Sequence, residues 1–171
     1  MGSEMCIRDS EMTGYLDDPE ATREVRRDGW LRTGDIGRLD ESGRLWVLER
    51  RKDLILRGGN NVVPAEVEAV LCRHPGVAEV AVVGRPDPYY GEEVVAVVVP
   101  RAGPPLDDLA DFAAGHLART KVPRELVVVD ALPLGPSGKV QRRVLRHRIA
   151  AGELRPVRLE HPRVDQPPAG G

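Results

Sequence analysis

The chain has 171 residues, 41% hydrophobic and 30% charged, which suits one domain, or a small domain with part of another. Its 25 basic and 27 acidic residues leave a net charge of −2, so no strong field draws it to nucleic acid or an anionic membrane. No apolar run reaches the ~20 residues that span a bilayer, and Met1 to Met12 lacks the apolar core of a signal peptide.

Met1 to Glu11 has no periodicity and reads as a segment apart from the rest of the chain. Asp18-Pro19 opens a helix, with Asp18 as N-cap and Pro19 at its first position. Asp28-Gly29 is a turn, and Trp30 to Thr33 is short and extended. Ile36–Leu39 and Leu45–Leu48 form a hairpin around Asp40-Glu41-Ser42-Gly43. A charged cluster, Arg50 to Asp53, precedes a short strand, Leu54 to Leu56, and the Gly58-Gly59-Asn60-Asn61 turn. Pro64 to His74 is helical, with Val67, Val70 and Leu71 on one face and Pro75-Gly76 as its stop. His74 reads as a cation at the helix C-terminus.

Val77 to Gly84 is a buried strand, and the Val run from Val94 to Val99 is a central strand covered on both faces. Asp107 to Leu117 is an amphipathic helix, Glu125 to Val129 a strand, and Arg142 to Ala151 a basic helix with a solvated face. The Pro/Arg/Gly-rich end from Arg155 is expected to be disordered. The order of elements after residue 53 describes a small α+β domain.

The chemistry-bearing features are few. Two cysteines, Cys6 and Cys72, give neither metal spacing nor a disulfide framework and read as free thiols in a reducing cytoplasm. The four histidines have no ligand spacing. Pro136-Ser137-Gly138-Lys139 ends a mobile loop in a lysine, but a phosphate-binding P-loop fails here: Pro133 stands where it needs Gly, and Val140 comes after the lysine instead of Ser or Thr. Lys139 is then either a surface lysine or a point charge for a carboxylate or phosphate. Asp35, after Thr33-Gly34, is either a turn carboxylate or an acceptor for paired hydroxyls. Gly58-Gly59 is either a plain hairpin turn or a place where backbone lies close to a ligand.

Taken in order, GYLDDPEAT, DGWLRTGDIGRLDESGRLWVLERRKDLILRGGNNVVPAEVE, HPGVAEVAVVGRPDPYYGEEVVAVVV, KVPR and PSGKVQRRVLR resemble the C-terminal part of the adenylate-forming acyl/aryl-CoA ligase superfamily. The resemblance runs from Met12 to Ile149. It implies that residues 12–49 end a large AMP-binding domain, that 50–150 form the small C-terminal domain, and that 151–171 are a tail. It further implies that Asp35 and Arg50 bind the nucleotide, Lys52 is the hinge, Gly58, Gly59 and Asn60 line the path of coenzyme A, and Lys139 is catalytic. The implied reaction joins a carboxylic acid, a fatty acid by the style of the glycine loop, to CoA through an acyl-AMP formed from ATP. The implied Mg²⁺ has its ligand in the large N-terminal domain, not here, and the implied location is the cytoplasm. Two other roles remain open at this point. One is an accessory module docking a separate adenylation domain or an acyl carrier protein, and the other the adenylation unit of a peptide synthetase. Glu49 departs from the pattern, since relatives have Gly before the hinge arginine. So does Pro133-Leu134-Gly135-Pro136-Ser137, where relatives often have Pro-Arg-Thr-Ala-Ser.

Overall fold

The structure, a computed structural model, describes residues 12–103 and 105–159, so expectations for Met1–Glu11 and for the end of the tail lie outside it. At the front, α1 (Pro19–Val25) is capped as expected: Ala21 N–H donates to Asp18 Oδ1 at 2.9 Å. Two hairpins come next. The first joins β1 (Arg26–Arg27) to β2 (Trp30–Leu31), with Asp28 at φ 53° and Gly29 at φ 81°; two left-handed residues give the turn whose twist matches the strands. The second pairs β3 (Asp35–Leu39) with β4 (Leu45–Arg50), bulged between Ile36 and Gly37. Asp40 closes that turn by accepting from Ser42 Oγ (2.6 Å), the backbone N–H groups of Ser42 and Arg44, and Trp46 Nε1 (2.9 Å).

A single 3₁₀ turn (Arg51–Asp53) leads into the main body. There β5 (Ile55–Arg57), β6 (Asn60–Val62), α2 (Pro64–Leu71), β7 (Val77–Asp87), β8 (Gly91–Pro100), α3 (Leu109–His116), β9 (Glu125–Val128), α4 (Arg142–Ala150) and β10 (Val157–Arg158) succeed one another. One six-stranded sheet results. β8 is its axis: β7 runs antiparallel along one edge, while β5 at Gly91 and parallel β9 at Val95–Val98 share the other.

The Val run explains that centrality. Alternate residues of a strand point to opposite faces, and both faces are covered here. Val94, Ala96 and Val98 join Val67, Leu71, Leu109 and Ala113 under α2 and α3. Val95 and Val97 join Leu132, Leu145, Ile149 and Leu154 under α4. Burying one such Leu contributes about 1.5–3 kcal/mol.

Five expectations are corrected. β6 is a strand the sequence reading left out, so Gly58-Gly59 is a hairpin turn. α2 ends at Leu71, not His74, because His74 turns inward and is 2% exposed. Its Nδ1 accepts from Gly76 N–H (3.1 Å), so Nε2 carries the hydrogen given to Asp108 Oδ1 (2.9 Å), and His74 is a buried link to the start of α3 rather than a terminal cation. β7 and β8 extend past the expected ends to meet in their own hairpin. Within the tail expected to be disordered, Val157–Arg158 pair with β9 instead.

Candidate functional site

The open end of the β3–β4 hairpin brings Asp35 and Arg50 together. They are register partners, and Arg50 Nε lies 3.1 Å from Asp35 Oδ1. Gly34, at φ 75°, makes the corner before Asp35; Thr33 Oγ1 accepts from Asp35 N–H, and Gly34 O accepts from Arg51 N–H at 2.7 Å. The 3₁₀ turn is therefore tied back to the Thr-Gly-Asp corner. Thr33, Gly34, Arg50, Arg51 and Lys52 line an open groove of about 410 Å³. An ion pair this exposed adds at most ~1 kcal/mol to stability, so its chemistry faces outward.

Glu49 keeps its place beside this groove through its own chain: Oε1 accepts from Arg50 N–H at 3.0 Å. Its Oε2 is buried and has no hydrogen-bond donor among the described residues. Arg142 of α4 lies within reach of its charge. Burial opposes the Arg142 charge, but the hydrogen bonds and charge of Glu68, with Glu49 and Asp53 behind, raise its pKa.

The Gly58–Asn60 turn sits at the end of the β5–β6 hairpin. Gly58 (φ 54°) and Gly59 (φ 79°) are both left-handed, a conformation glycine adopts without steric cost. Gly58 N–H donates to Tyr90 O at 2.8 Å, and Asn60 Nδ2 donates back to Gly58 O at 3.2 Å. Around Gly59 a Cβ would meet nothing within 4 Å, so this backbone faces open space.

Lys139 stands elsewhere, between β9 and α4. Its loop is closed by backbone pairing: Leu134 bridges Val140, Gly135 N–H donates to Lys139 O (2.8 Å), and Gln141 N–H donates to Pro133 O (2.8 Å). The Lys139 side chain is exposed, and among the described residues no hydrogen bond or ion pair involves its ammonium. The helix after it is only in part a solvated basic face: Arg143 and His147 are exposed, while Arg142 and Arg146 are half-buried. Arg142 pairs with Glu68 of α2 (2.8 Å) and Arg146 with Glu92 of β8 (2.6 Å), which turns both guanidiniums back onto the body of the domain.

The predicted residues thus fall in three places: Asp35, Arg50 and Lys52 at one groove, the glycine turn at a hairpin end, and Lys139 on its own loop. Among the described residues no hydrogen bond or ion pair joins these three places. Sequence reading missed Arg57 and Glu93, a buried pair beside the glycine turn. The strand expected from the sequence, Leu54 to Leu56, stops short of Arg57, and a strand of three residues has too little period to show which side faces inward. Cys72 is a free, exposed thiol, and Cys6 lies outside the described residues. Among the described residues no three His, Cys, Asp or Glu side chains gather as a metal site. None of the described helices is long and apolar enough to cross a membrane.

Residues 66–139 match the family of the AMP-binding enzyme C-terminal domain. The sulfoacetate–CoA ligase of Cupriavidus necator is 49% identical over 143 residues, covering 81% of this chain and 28% of that protein. The long-chain-fatty-acid–CoA ligase FadD13 of Mycobacterium tuberculosis is 43% identical over 138 residues, covering 80% and 27%. In structure, the o-succinylbenzoate CoA synthetase (MenE) of Bacillus subtilis, in complex with its acyl-adenylate intermediate, superimposes with a TM-score of 0.72 at 41% identity, covering 79% of this chain and 28% of that one. The chain spans little more than a quarter of the length of these relatives.

Proposed function

We propose that the chain, whose residues 66–139 match the AMP-binding enzyme C-terminal domain family, works as the C-terminal part of an ATP-dependent acid–CoA ligase. The observation that carries this reading is the Asp35–Arg50 pair at the mouth of the groove lined by Thr33, Gly34, Arg51 and Lys52. An ionised carboxylate offers acceptor lone pairs to a vicinal diol, and the neighbouring cations suit phosphate. A ribose with its phosphate combines both groups.

In the first half-reaction a substrate carboxylate oxygen bonds to the α-phosphorus of ATP and pyrophosphate departs, giving acyl-AMP. Lys139 supplies an unpaired ammonium for the carboxylate and α-phosphate, where negative charge must be brought together. In the second, the CoA sulfur attacks the acyl carbonyl and AMP leaves. The Gly58–Asn60 turn, with open space at Gly59, lines the path of the thiol arm. The two faces lie on different loops, so one domain turning about Lys52 presents them in succession; a short element-terminal segment such as Arg51–Asp53 is the usual place for such a hinge. Mg²⁺ would offset phosphate charge, with ligands outside this chain.

This reading divides the chain into 12–49, the end of a larger domain, and 50–150, the moving domain. The front hairpins support that division. Trp30, Leu39, Leu45 and Val47 are each at least 65% exposed, as befits a face made to be covered by more protein. For the acid, a fatty acid is our choice, supported by the glycine loop and by the similarity to the long-chain-fatty-acid–CoA ligase.

The test is pyrophosphate exchange. The longer protein carrying this segment exchanges pyrophosphate into ATP in the presence of a fatty acid, whereas the 171-residue chain alone forms no acyl-adenylate. Exchange by the chain alone would overturn the division of labour, and a longer protein inert toward every carboxylic acid would overturn the ligase reading.

A further inference from the structure

With three residues, β5 turns Ile55 and Arg57 inward and Leu56 outward. A guanidinium placed inside costs stability unless it is paired and hydrogen-bonded. Arg57, 4% exposed, is both. Its Nε lies 2.7 Å from Glu93 Oε1 as an ion pair, although the N–H does not point at that oxygen. Nη2 donates to Glu93 Oε2 at 3.5 Å, and Nη1 donates to Thr120 O at 3.0 Å and Arg119 O at 3.4 Å. Burial draws the Arg57 pKa down, with the Glu93 carboxylate opposing.

Tyr90 completes the cluster. The Arg57 guanidinium carbon is 4.9 Å from the Tyr90 ring centre, and that of Arg124 is 5.3 Å from it. The same tyrosine accepts the Gly58 N–H, and its Cδ1 stands 3.4 Å from where a Gly58 Cβ would be. The connector from α3 to β9, which supplies the Arg119 and Thr120 carbonyls, is itself anchored: Lys121 Nζ lies 2.7 Å from both Glu66 oxygens, and Arg85 holds Glu125 at 2.7 Å.

We propose that Arg57 is a positioning residue for the thioester-forming step, holding the Gly58–Asn60 turn in place by joining it to Glu93 and to the Arg119 and Thr120 carbonyls. The proposal rests on the reading that this turn lines the CoA path. Two left-handed glycines with open space around Gly59 carry no side chains to pack, so the neighbours must fix the turn. Loss of the guanidinium removes the donor that joins Arg57 to the Arg119 and Thr120 carbonyls and leaves the turn free to shift. A shift of about 1 Å near reacting atoms costs about a hundredfold in rate. The adenylation groups, Asp35, Arg50 and Lys139, make no hydrogen bond or ion pair to Arg57 among the described residues, so the loss falls on one half-reaction.

The experiment compares Arg57→Met, Arg57→Lys, and the pair Arg57→Met with Glu93→Leu, in the longer ligase carrying this segment. The pair leaves no unpaired buried charge and so guards against misfolding. Thioester formation from supplied dodecanoyl-adenylate and CoA is divided by pyrophosphate exchange with dodecanoate. That ratio is expected to fall about a hundredfold in both Met variants and by less in Arg57→Lys, with faster amide exchange at Gly59 and Asn60. An unchanged ratio in the paired variant, or an equal fall of both half-reactions, overturns the proposal. Gly59→Val separates the causes. If it collapses the ratio while the Arg57 variants do not, the mooring is wrong; if it too leaves the ratio intact, the CoA reading of the turn fails and takes the proposal with it.

Discussion

Asp35 and Arg50 face each other across the open end of the β3–β4 hairpin at 3.1 Å, with side chains 29% and 58% exposed respectively. Because water screens such a pair, Asp35→Asn should change folding stability by less than ~1 kcal/mol. Hydrogen bonds to a charged acceptor are each worth about 1.5–3 kcal/mol. If Asp35 accepts from ribose hydroxyls, the same substitution in the longer ligase should raise the KM for ATP about ten- to a hundredfold. Steady-state kinetics with a parallel denaturation curve reads both effects, and an unchanged KM for ATP would remove Asp35 from the nucleotide site.

Lys139 differs in that its ammonium has no partner among the described residues. Lys139→Ala therefore leaves the fold with nothing to lose but solvent contacts. The longer ligase carrying it should lose acid-dependent pyrophosphate exchange yet still make thioester from supplied acyl-adenylate. Equal loss of both half-reactions would count against the assigned role.

Asp40 gives a prediction about pH. Hydrogen bonds from Ser42 first, then Trp46 and the Arg44 N–H, lower its pKa from 3.8 to about 2. A depressed carboxyl contributes stability above its unfolded pKa and loses it as pH falls toward the folded one. The β3–β4 turn should thus hold above pH 4 and loosen between pH 4 and about 2. Trp46 fluorescence in a Trp30→Phe background reports it, since Trp46 Nε1 donates to Asp40. Asp40→Asn should abolish the titration, and a transition that persists in it would belong to another group.

These features were unequally legible in the sequence. The Val94–Val99 run, the Asp18 cap and the Asp40 turn could be read because each obeys a local rule of period or turn chemistry. Arg57 could not be weighed, since a three-residue strand has too little period to show which side is inside. The arginines of α4 were read as solvated because their partners are distant in sequence: Glu68 lies 74 residues from Arg142, and Glu92 lies 54 from Arg146. His74 stands at the expected helix end, just before Pro75-Gly76, where charge near a C-terminus is a sound local guess; only the fold shows Asp108 and Gly76 waiting for its ring. At Gly58-Gly59 the two readings offered by the sequence share one geometry, so the turn was found while its use was left to the site.

Gly84 tests the crossing of two elements. A Cβ there would lie 2.7 Å from Glu92 Oε1. That carboxylate cannot yield cheaply, because it accepts from Arg146 Nη2 (2.6 Å) and from Leu56 N–H (2.8 Å). Gly84→Ala should therefore destabilise the chain by about 1–3 kcal/mol. Urea denaturation measures the shift. Pairing Gly84→Ala with Glu92→Ala should recover part of the cost, which distinguishes this clash from a general dislike of Ala in β7.

Leu145 sets how firmly α4 is seated, and with it the loop that carries Lys139. It is fully buried with Val95, Val97, Val127 and Ile149, on the sheet face opposite α2 and α3. Arg142 and Arg146 flank it on the same helix and make their ion pairs only when that face is docked. Leu145→Ala removes buried methyl groups from a site ringed by β-branched side chains that have little rotamer freedom with which to close the gap. The expected loss is about 2–5 kcal/mol, read as a fall in the urea midpoint with an unchanged slope. Val128→Ala, at a side chain 55% exposed on the neighbouring strand, should stay within about 0.5 kcal/mol. A Leu145→Ala cost no larger than that of Val128→Ala would mean that α4 is held by its two ion pairs and not by its apolar face.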